Sequence, residues 1–503
     1  MPAWPKTASA APPRGALLRG MGTNASMYRA IVARDPRYDG LFFFGVRTTG
    51  IYCRPVCSAR TPKESSCELF ASASSAEDAG YRACFVCRPE LAPHARLDGA
   101  GRVVEEALEA IERGVLDEGT VGALAARLDV SERTLRRAFL SELGASPHSV
   151  AASRRLATAK RLLHDTDLSI VEIALASGYR SLRRFNAAFV ARFAKSPSAV
   201  RASLRSPRRR APSGPSAEVE AKLFARPPYR GHDLFRYLAA RAIPSVERGD
   251  EASYARAVRF GGAEGALRAR LEGETRIGLS LDATLATALP AVVRVARRVF
   301  DTDARPDVID EVLSTDRAFE GLVAARPGLR VPGIFDPFEA VVRAIVGQRI
   351  SVTAARTCLT RFAEALGAPL EAPSHGVERH FPGAADVVRA GPEVVARAGL
   401  GPQKASAIVE VARLAAEGLF SSPRDRVTSA LADVRGIGGF TVGYAAMRGL
   451  FDPDGFPSGD LVIARVLGVS PARAEARVEA LRPYRAYAAL HAYTASAGGR
   501  SLS

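Results

Sequence analysis

The chain runs to 503 residues, and its 70 Lys plus Arg against 53 Asp plus Glu leave a formal net charge of +17 and a pI near 10.1. So long a chain exceeds one hydrophobic core and predicts several domains, while the charge favours a polyanionic partner, although an arginine-rich proteome would produce the same balance. No apolar run approaches the roughly 20 residues of a membrane span, the opening "MPAWPKTASAAPPRGALLRG" lacks a signal peptide's apolar stretch, and six cysteines in a reducing compartment do not make a disulfide framework. A soluble cytoplasmic protein without a membrane partner is expected.

Residues 1–20 read as a disordered tail, and the first informative stretch is "TTGIYCRPVCSARTP" at 48–62. Cys53, Cys57, Cys84 and Cys87 form C-x3-C, a 26-residue spacer and C-x2-C, the spacing of a tetrahedral Zn²⁺ site with sulfurs at about 2.3 Å from the metal. A small loop-rich domain would gain folding free energy from that metal, and a purely structural zinc knuckle accounts for the spacing. Cys67 and Cys358 have no partners at ligand spacing and read as inert buried thiols.

The neighbouring residues add a second reading. "FFFGVRTTGIYCRPVCSARTP" followed by "AGYRACFVCRPE" resembles the N-terminal domain of the bacterial Ada-type adaptive-response proteins, over about residues 21–98. The resemblance implies one Zn²⁺ on four cysteines, Cys53 as acceptor of a methyl group from DNA methylphosphotriesters, and Thr49 and Arg60 on the DNA-facing side. Zinc keeps sulfur as thiolate at neutral pH, and methylating one of four thiolates takes a negative charge off a cluster facing DNA. A repair event can thereby become a binding signal.

From about residue 103 the pattern turns helical and repeats: Ser131, Phe139, Ser146, Pro147 and Val150 recur as Ser181, Phe189, Ser196, Pro197 and Val200. "TVGALAARLDVSERTLRRAFLSELG" predicts a short helix, a turn, a Ser131 N-cap and a second helix ending before Gly144. "SIVEIALASGYRSLRRFNAAFVARF" repeats the plan with Gly178 at the turn and Ser181 at the cap. The pair resembles an AraC-type DNA-binding domain, assigned to 99–205. Leu135, Phe139, Phe185 and Phe189 are expected in the core. Arg133, Arg136 and Arg137 in one recognition helix, and Arg183, Arg184 and Asn186 in the other, are candidates for DNA contact, against the alternative of a solvated basic face. An activator of this type is expected to engage promoter DNA and RNA polymerase. "RASLRSPRRRAPSGPSAE" then mixes Arg, Pro, Ser and Gly without an apolar period and predicts a linker at 206–217.

Beyond it, "LADVRGIGGFTVGYAAMRGLFDPDGFPSGDLVIARVLG" reads as a helix reaching Val434, a "RGIGG" loop and a helix from about Phe440. Gly436 and Gly438 let such a helix-hairpin-helix loop approach a phosphate. Asp460 opens the next apolar helix, where an ordinary N-cap is its plain role. Together with "RPPYRGHDLFRYLAARAIPSVE", "ARPGLRVPGIFDPFEAVVRAIVGQRIS" and "LRPYRAYAALHAY", the stretch resembles the AlkA-type 3-methyladenine DNA glycosylases II. That implies a mixed α/β subdomain over 218–325, a helical glycosylase domain over 326–498, and alkylated double-stranded DNA as substrate. It also implies Asp460 as the carboxylate that stabilises an oxocarbenium-like transition state, with Tyr237, Phe440, Tyr444 and Tyr493 at the base pocket.

Two departures stand out. Arg349 occupies the position of an apolar wedge, and Phe440 that of the Schiff-base lysine of lyase-type members, so base release without strand cleavage is expected. No Pro-Cys-His-Arg tetrad occurs, so direct repair of O6-alkylguanine is not expected. The fold class expected is multidomain and mainly α with α+β parts: a small zinc domain, a double helix-turn-helix domain, a mixed α/β subdomain and a helical helix-hairpin-helix domain. The competing reading is a regulator whose glycosylase-like half only binds DNA.

Overall fold

A computed structural model describes residues 23–94, 102–204 and 218–497. The chain divides into two compact units, Met1–Pro212 and Ser213–Ser503.

The described part of the first unit opens with helix Asn24–Ala33, capped by the Thr23 side chain on the Ser26 amide. Four short strands follow, β1 (Phe43–Val46), β2 (Ile51–Cys53), β3 (Cys67–Phe70) and β4 (Arg82–Ala83), in the order β3-β1-β2-β4. The Phe42–Phe44 run is buried throughout because the sheet is covered on both faces. Phe42 and Phe44 pack with Met27 and Ile31, while Phe43 meets the Tyr52 ring edge-on at 5.8 Å. Parallel pairing of Tyr52 with Ala83 sets the ends of β2 and β4 side by side.

Two helix-turn-helix units complete this body. Helices Val121–Arg127 and Glu132–Leu143 form the first, helices Ile170–Ala176 and Leu182–Phe193 the second. Ser131 and Ser181 cap the two second helices, Gly144 ends the first of them with φ 66°, and Gly178 turns at φ 83°. Leu135, Phe139, Phe185 and Phe189 are fully buried, as their helical spacing predicts. The 19-residue helix Pro147–Asp165 joins the copies and also braces the four-stranded module. Its Lys160 ammonium, with none of the residue exposed, donates to the Cys84 carbonyl at 2.8 Å and pairs with Glu90 at 3.0 Å. Arg88 forks onto Asp165 at 2.8 and 3.1 Å at the end of the same helix.

In the second unit β5 (Glu218–Phe224), β6 (Glu247–Gly249), β7 (Ser253–Phe260), β8 (Ala263–Leu271) and β9 (Arg276–Asp282) make an antiparallel sheet in the order β5-β9-β8-β7-β6. Helices fill the remainder around two cores, one centred on helices Pro337–Gly347 and Pro402–Ala416, the other on Leu461–Val466 and Arg485–Ala497. Between sheet and helices lies a buried ion cluster. Arg256 donates to Glu339 at 2.7 Å, and Arg343 to Glu247 at 2.6 Å and to Glu339 at 2.8 Å. Burial opposes the Glu247 charge, yet Arg343 and Arg256 outweigh it and hold its carboxyl at about 2.

The structure departs from the expected all-helical catalytic part in one element. The hairpin of β10 (Pro369–Ser374) and β11 (Val377–Arg379) folds back onto the sheet, where Leu370 and Val377 join Ala257 and Ala266. The hairpin helix ends at Ala432, two residues earlier than expected, with Asp433 as C-cap. No helix among the described residues is long and apolar enough to cross a membrane.

Candidate active sites and nucleic-acid interface

Cys53 ends β2 and Cys84 follows β4, so the parallel pairing of those strands brings together sulfurs 31 residues apart in the sequence. The ligand atoms of Cys53, Cys57, Cys84 and Cys87 all lie within 4.8 Å of one another. A tetrahedral thiolate site has sulfur–sulfur edges of about 3.8 Å, so these residues fit one Zn²⁺ with four cysteine ligands. The sulfurs are not equivalent. The Val86 amide donates to Cys84 Sγ at 3.3 Å and the Arg54 amide to Cys87 Sγ at 3.5 Å. No backbone N–H among the described residues donates to Cys53 Sγ. A hydrogen bond stabilises thiolate charge and blunts its attack, so Cys84 and Cys87 carry the more encumbered sulfurs.

Arg54 locks this arrangement, its guanidinium donating to Asp39 at 2.8 Å and to the Cys87 carbonyl at 3.0 Å. Thr49, in the turn between β1 and β2, and Arg60, after Cys57, are both exposed. Cys67 and Cys358 differ from the buried thiols expected of them. Both are half-buried, Cys67 because it lies on the outermost strand of its sheet.

On the recognition helices Arg133, Arg136, Arg137, Arg183 and Arg184 are exposed, and Asn186 is half-buried. Arg136 is already engaged, its Nε 2.9 Å from Glu132 one turn earlier. Sequence reasoning missed Arg192, on the second of these helices. It pairs with buried Glu77, which also accepts the Tyr52 hydroxyl at 2.9 Å, one residue from Cys53. It missed Lys160 as well. The available signal was a lone lysine inside the apolar repeat of "LATAKRLL".

In the second unit helices Arg424–Ala432 and Gly439–Arg448 form the helix-hairpin-helix, with Gly436 at φ 92° and Gly438 extended at the N-cap. Gln348 ties its own loop to this hairpin, donating to the Gly436 carbonyl at 3.0 Å and Thr441 Oγ1 at 2.8 Å. Lys404 braces the loop from behind through the carbonyls of Val346 and Gln348, at 2.9 and 3.0 Å. Arg349 sits at its tip, exposed and at φ 59°, with Ile350 exposed beside it.

Asp460 caps helix Leu461–Val466. Its Oδ1 accepts from the amides of Val462 and Ile463 at 2.7 and 2.9 Å, and its Oδ2 from the Tyr493 hydroxyl at 3.0 Å. The loop leading to it lies hard against helix Gly439–Arg448, where a Cβ on Gly443 would come within 1.8 Å of the Phe456 carbonyl oxygen. Gly443, which sequence reasoning passed over, is therefore needed to seat Asp460.

Tyr237, Phe440, Tyr444 and Tyr493 are all half-buried. Phe440 and Tyr444 lie 6.1 Å apart, and Arg241 and Arg448 sit 3.7 and 4.9 Å from the Tyr237 ring centroid. Burial disfavours a Tyr237 phenolate, but the charges of Arg241 and Arg448 more than offset this and lower its pKa. Burial, then the Asp460 charge, push the Tyr493 phenol well above its ordinary value.

A thiolate metal site built onto a double helix-turn-helix, followed by a helix-hairpin-helix with a carboxylate among aromatic rings, defines a DNA-binding regulator joined to a base-excision glycosylase. Family models agree segment by segment: the metal binding domain of Ada over residues 26–90, a helix-turn-helix domain over 124–203 and the AlkA N-terminal domain over 220–336. The probable bifunctional transcriptional activator/DNA repair enzyme AlkA of Mycobacterium tuberculosis is 33% identical over 478 residues, covering 93% of this chain and 95% of that protein. DNA-3-methyladenine glycosylase 2 of Escherichia coli is 32% identical over 271 residues, covering 53% of this chain and 93% of the relative. The Escherichia coli bifunctional transcriptional activator/DNA repair enzyme Ada is 39% identical over 130 residues, covering 25% of this chain and 34% of the relative. The chain belongs to the family of bifunctional transcriptional activator/DNA repair enzymes of the AlkA type, with an Ada-type metal-binding domain, a helix-turn-helix regulator and a glycosylase half on one polypeptide.

Proposed function

We propose that this chain repairs alkylated double-stranded DNA in two chemically distinct ways and reports the first of them to a promoter. The segments assigned are 21–98 for methyl acceptance, 99–205 for promoter binding, 206–217 as linker, and 218–325 with 326–498 for base excision, after a tail at 1–20. Bound Zn²⁺ would keep the four sulfurs ionised at neutral pH. Cys53 Sγ attacks the methyl carbon of a DNA methylphosphotriester; the carbon–oxygen bond breaks, the phosphodiester leaves with the electron pair, and Cys53 becomes a thioether. Nothing reverses that bond, so the domain acts once. Thr49 and Arg60 hold the phosphate side. Arg133, Arg136, Arg137, Arg183, Arg184 and Asn186 bind the promoter, and the activated protein engages RNA polymerase in the cytoplasm, on nucleoid DNA.

In the second unit Gly436 and Gly438 present backbone to a phosphate, Arg349 fills the gap left by the extruded nucleotide, and Tyr237, Phe440, Tyr444 and Tyr493 line the base. An N-alkylated purine is a cation whose glycosidic bond is already weakened. Asp460 therefore has only to oppose the positive charge growing on the sugar and orient water, and 3-methyladenine leaves hydrolytically. The carrying observation is the Asp460 carboxylate itself, fixed on a helix N-terminus with its second oxygen toward the aromatic cluster. Release of 3-methyladenine from methylated DNA tests it. Tight DNA binding without base release would leave this half as a binding module only. Recovery of the methyl label on Cys57, Cys84 or Cys87 would displace Cys53.

A further inference from the structure

We infer that Tyr493 is a positioning residue for excision, its hydroxyl fixing the plane in which Asp460 presents its carboxylate to the sugar. The inference rests on the reading of Asp460 as the carboxylate that faces the reaction.

A carboxylate hydrogen-bonded through one oxygen can rock about that point. Asp460 Oδ1 takes both helix amides, at 2.7 and 2.9 Å, which leaves Oδ2 to be placed by something else. The Tyr493 hydroxyl, 3.0 Å away, supplies the second point. The two groups ride on different helices, Leu461–Val466 and Arg485–Ala497, whose buried residues Ile463, Ala464, Leu490 and Ala492 share one core. Two-point attachment between elements of a common core holds a reacting group to the fraction of an ångström that preorganised catalysis requires.

The phenol stays a donor throughout. Burial and the Asp460 charge both oppose its ionisation, and Tyr237 and Tyr444, its other titratable neighbours, act in the same pocket. Asp460 also faces Tyr237, whose ring lies beside the fixed charges of Arg241 and Arg448. Arg448 in turn binds the Tyr444 hydroxyl. No other hydroxyl among the described residues donates to Asp460, so its hydrogen-bonding environment changes chiefly through Tyr493.

A ring that only stacks on the extruded base and a hydroxyl that orients a carboxylate differ in what Tyr493→Phe does, because phenylalanine keeps the ring and loses the donor. The experiment uses the full chain and a methylated duplex, with single-turnover release of 3-methyladenine measured across pH and affinity measured on an abasic-site duplex. Tyr493→Phe is expected to slow release by roughly 10-fold or more, the scale for a hydrogen bond to a charged group, with affinity within about twofold. If Tyr493→Phe lowers thermal stability, 3-fluorotyrosine at the same position carries the test. It keeps the ring and the donor, and should release base within about twofold of the parental rate. Parental rates in Tyr493→Phe, or a 3-fluorotyrosine protein as slow as Tyr493→Phe, overturn the inference. Asp460→Asn separates the two levels: near-normal excision by that variant removes the reading of Asp460 itself, whereas an inactive Asp460→Asn beside a fully active Tyr493→Phe removes only the role of Tyr493.

Discussion

The two centres proposed as reactive are built by opposite means. Cys53 stands at a strand end in a module whose small core includes Cys53, Cys57 and Cys84, so a metal must supply much of that module's folding free energy. Asp460 stands at the N-terminus of a helix whose Ile463, Ala464 and Val466 belong to an extended apolar core. A site assembled by its own metal suits a reaction performed once, since alkylating one ligand is tolerable when no second cycle is needed. A carboxylate on a preformed scaffold suits turnover, because nothing in the scaffold is consumed.

Metal removal should separate the two regions most sharply. Structural zinc sites contribute about 10–16 kcal/mol of apparent binding energy at neutral pH, so a strong chelator should unfold residues 23–94, seen as new proteolytic sites there. Base release by the second unit should continue. Cys84→Ser should reproduce this collapse, whereas Cys53→Ser should keep the fold and abolish methyl uptake. A chelated protein with an intact first module would show that the sheet, not the metal, holds the cysteines.

Next in size is the ion cluster of the second unit. Arg343→Met leaves the buried carboxylates of Glu247 and Glu339 to share the Arg256 guanidinium, a change expected to cost about 3–5 kcal/mol in urea unfolding. Glu247 is held at about 2 in the fold against about 4.3 in an unfolded chain. A depressed carboxyl stabilises the fold above the unfolded value and ceases to as pH falls through the folded one. The parent's advantage over Arg343→Met should therefore be full above about pH 4.3 and shrink toward pH 2. A constant difference across that window would show that Arg343 matters for packing alone.

Asp460→Asn comes third. Asparagine caps helices well and keeps the shape, so DNA affinity and thermal midpoint should hold while single-turnover excision falls roughly 10²–10³-fold. The smallest effect is the methylation switch. Removing one negative charge near DNA is felt only within a screening length of about 8 Å, so methylated protein should bind promoter modestly more tightly at physiological salt. The advantage should fade as salt rises, with excision unchanged. Equal promoter affinities at every salt concentration would break the charge mechanism even with Cys53 as acceptor.

Much of this was legible along the chain because it is local. Serines at 131 and 181 announced helix starts that the structure caps as expected, and the 3.6-residue spacing of Leu135 and Phe139 gave their burial. Asp460 was legible as a cap, and because the cap uses only one of its oxygens the other stays open to the role proposed for it. The hairpin β10–β11 escaped notice because its apolar residues are few and their partners, Ala257 and Ala266, lie more than a hundred residues earlier. Lys160 could be seen as an oddity in an apolar helix, but its partners could not.

By itself the amino-acid sequence determined the ligand set of the metal, the repeated helix-turn-helix plan and the glycine loop before Asp460, since each is written in spacings of a few residues. Tertiary structure alone decided which groups face one another across longer separations. Parallel pairing of β2 with β4 closes the cysteine cluster, Lys160 reaches the Cys84 carbonyl 76 residues away, and Tyr493 meets Asp460 33 residues away. The physical reason is that caps, turns and periodicity act through the backbone's own geometry, whereas these contacts depend on how distant apolar faces pack. That packing draws on the whole chain at once and leaves no local pattern to read.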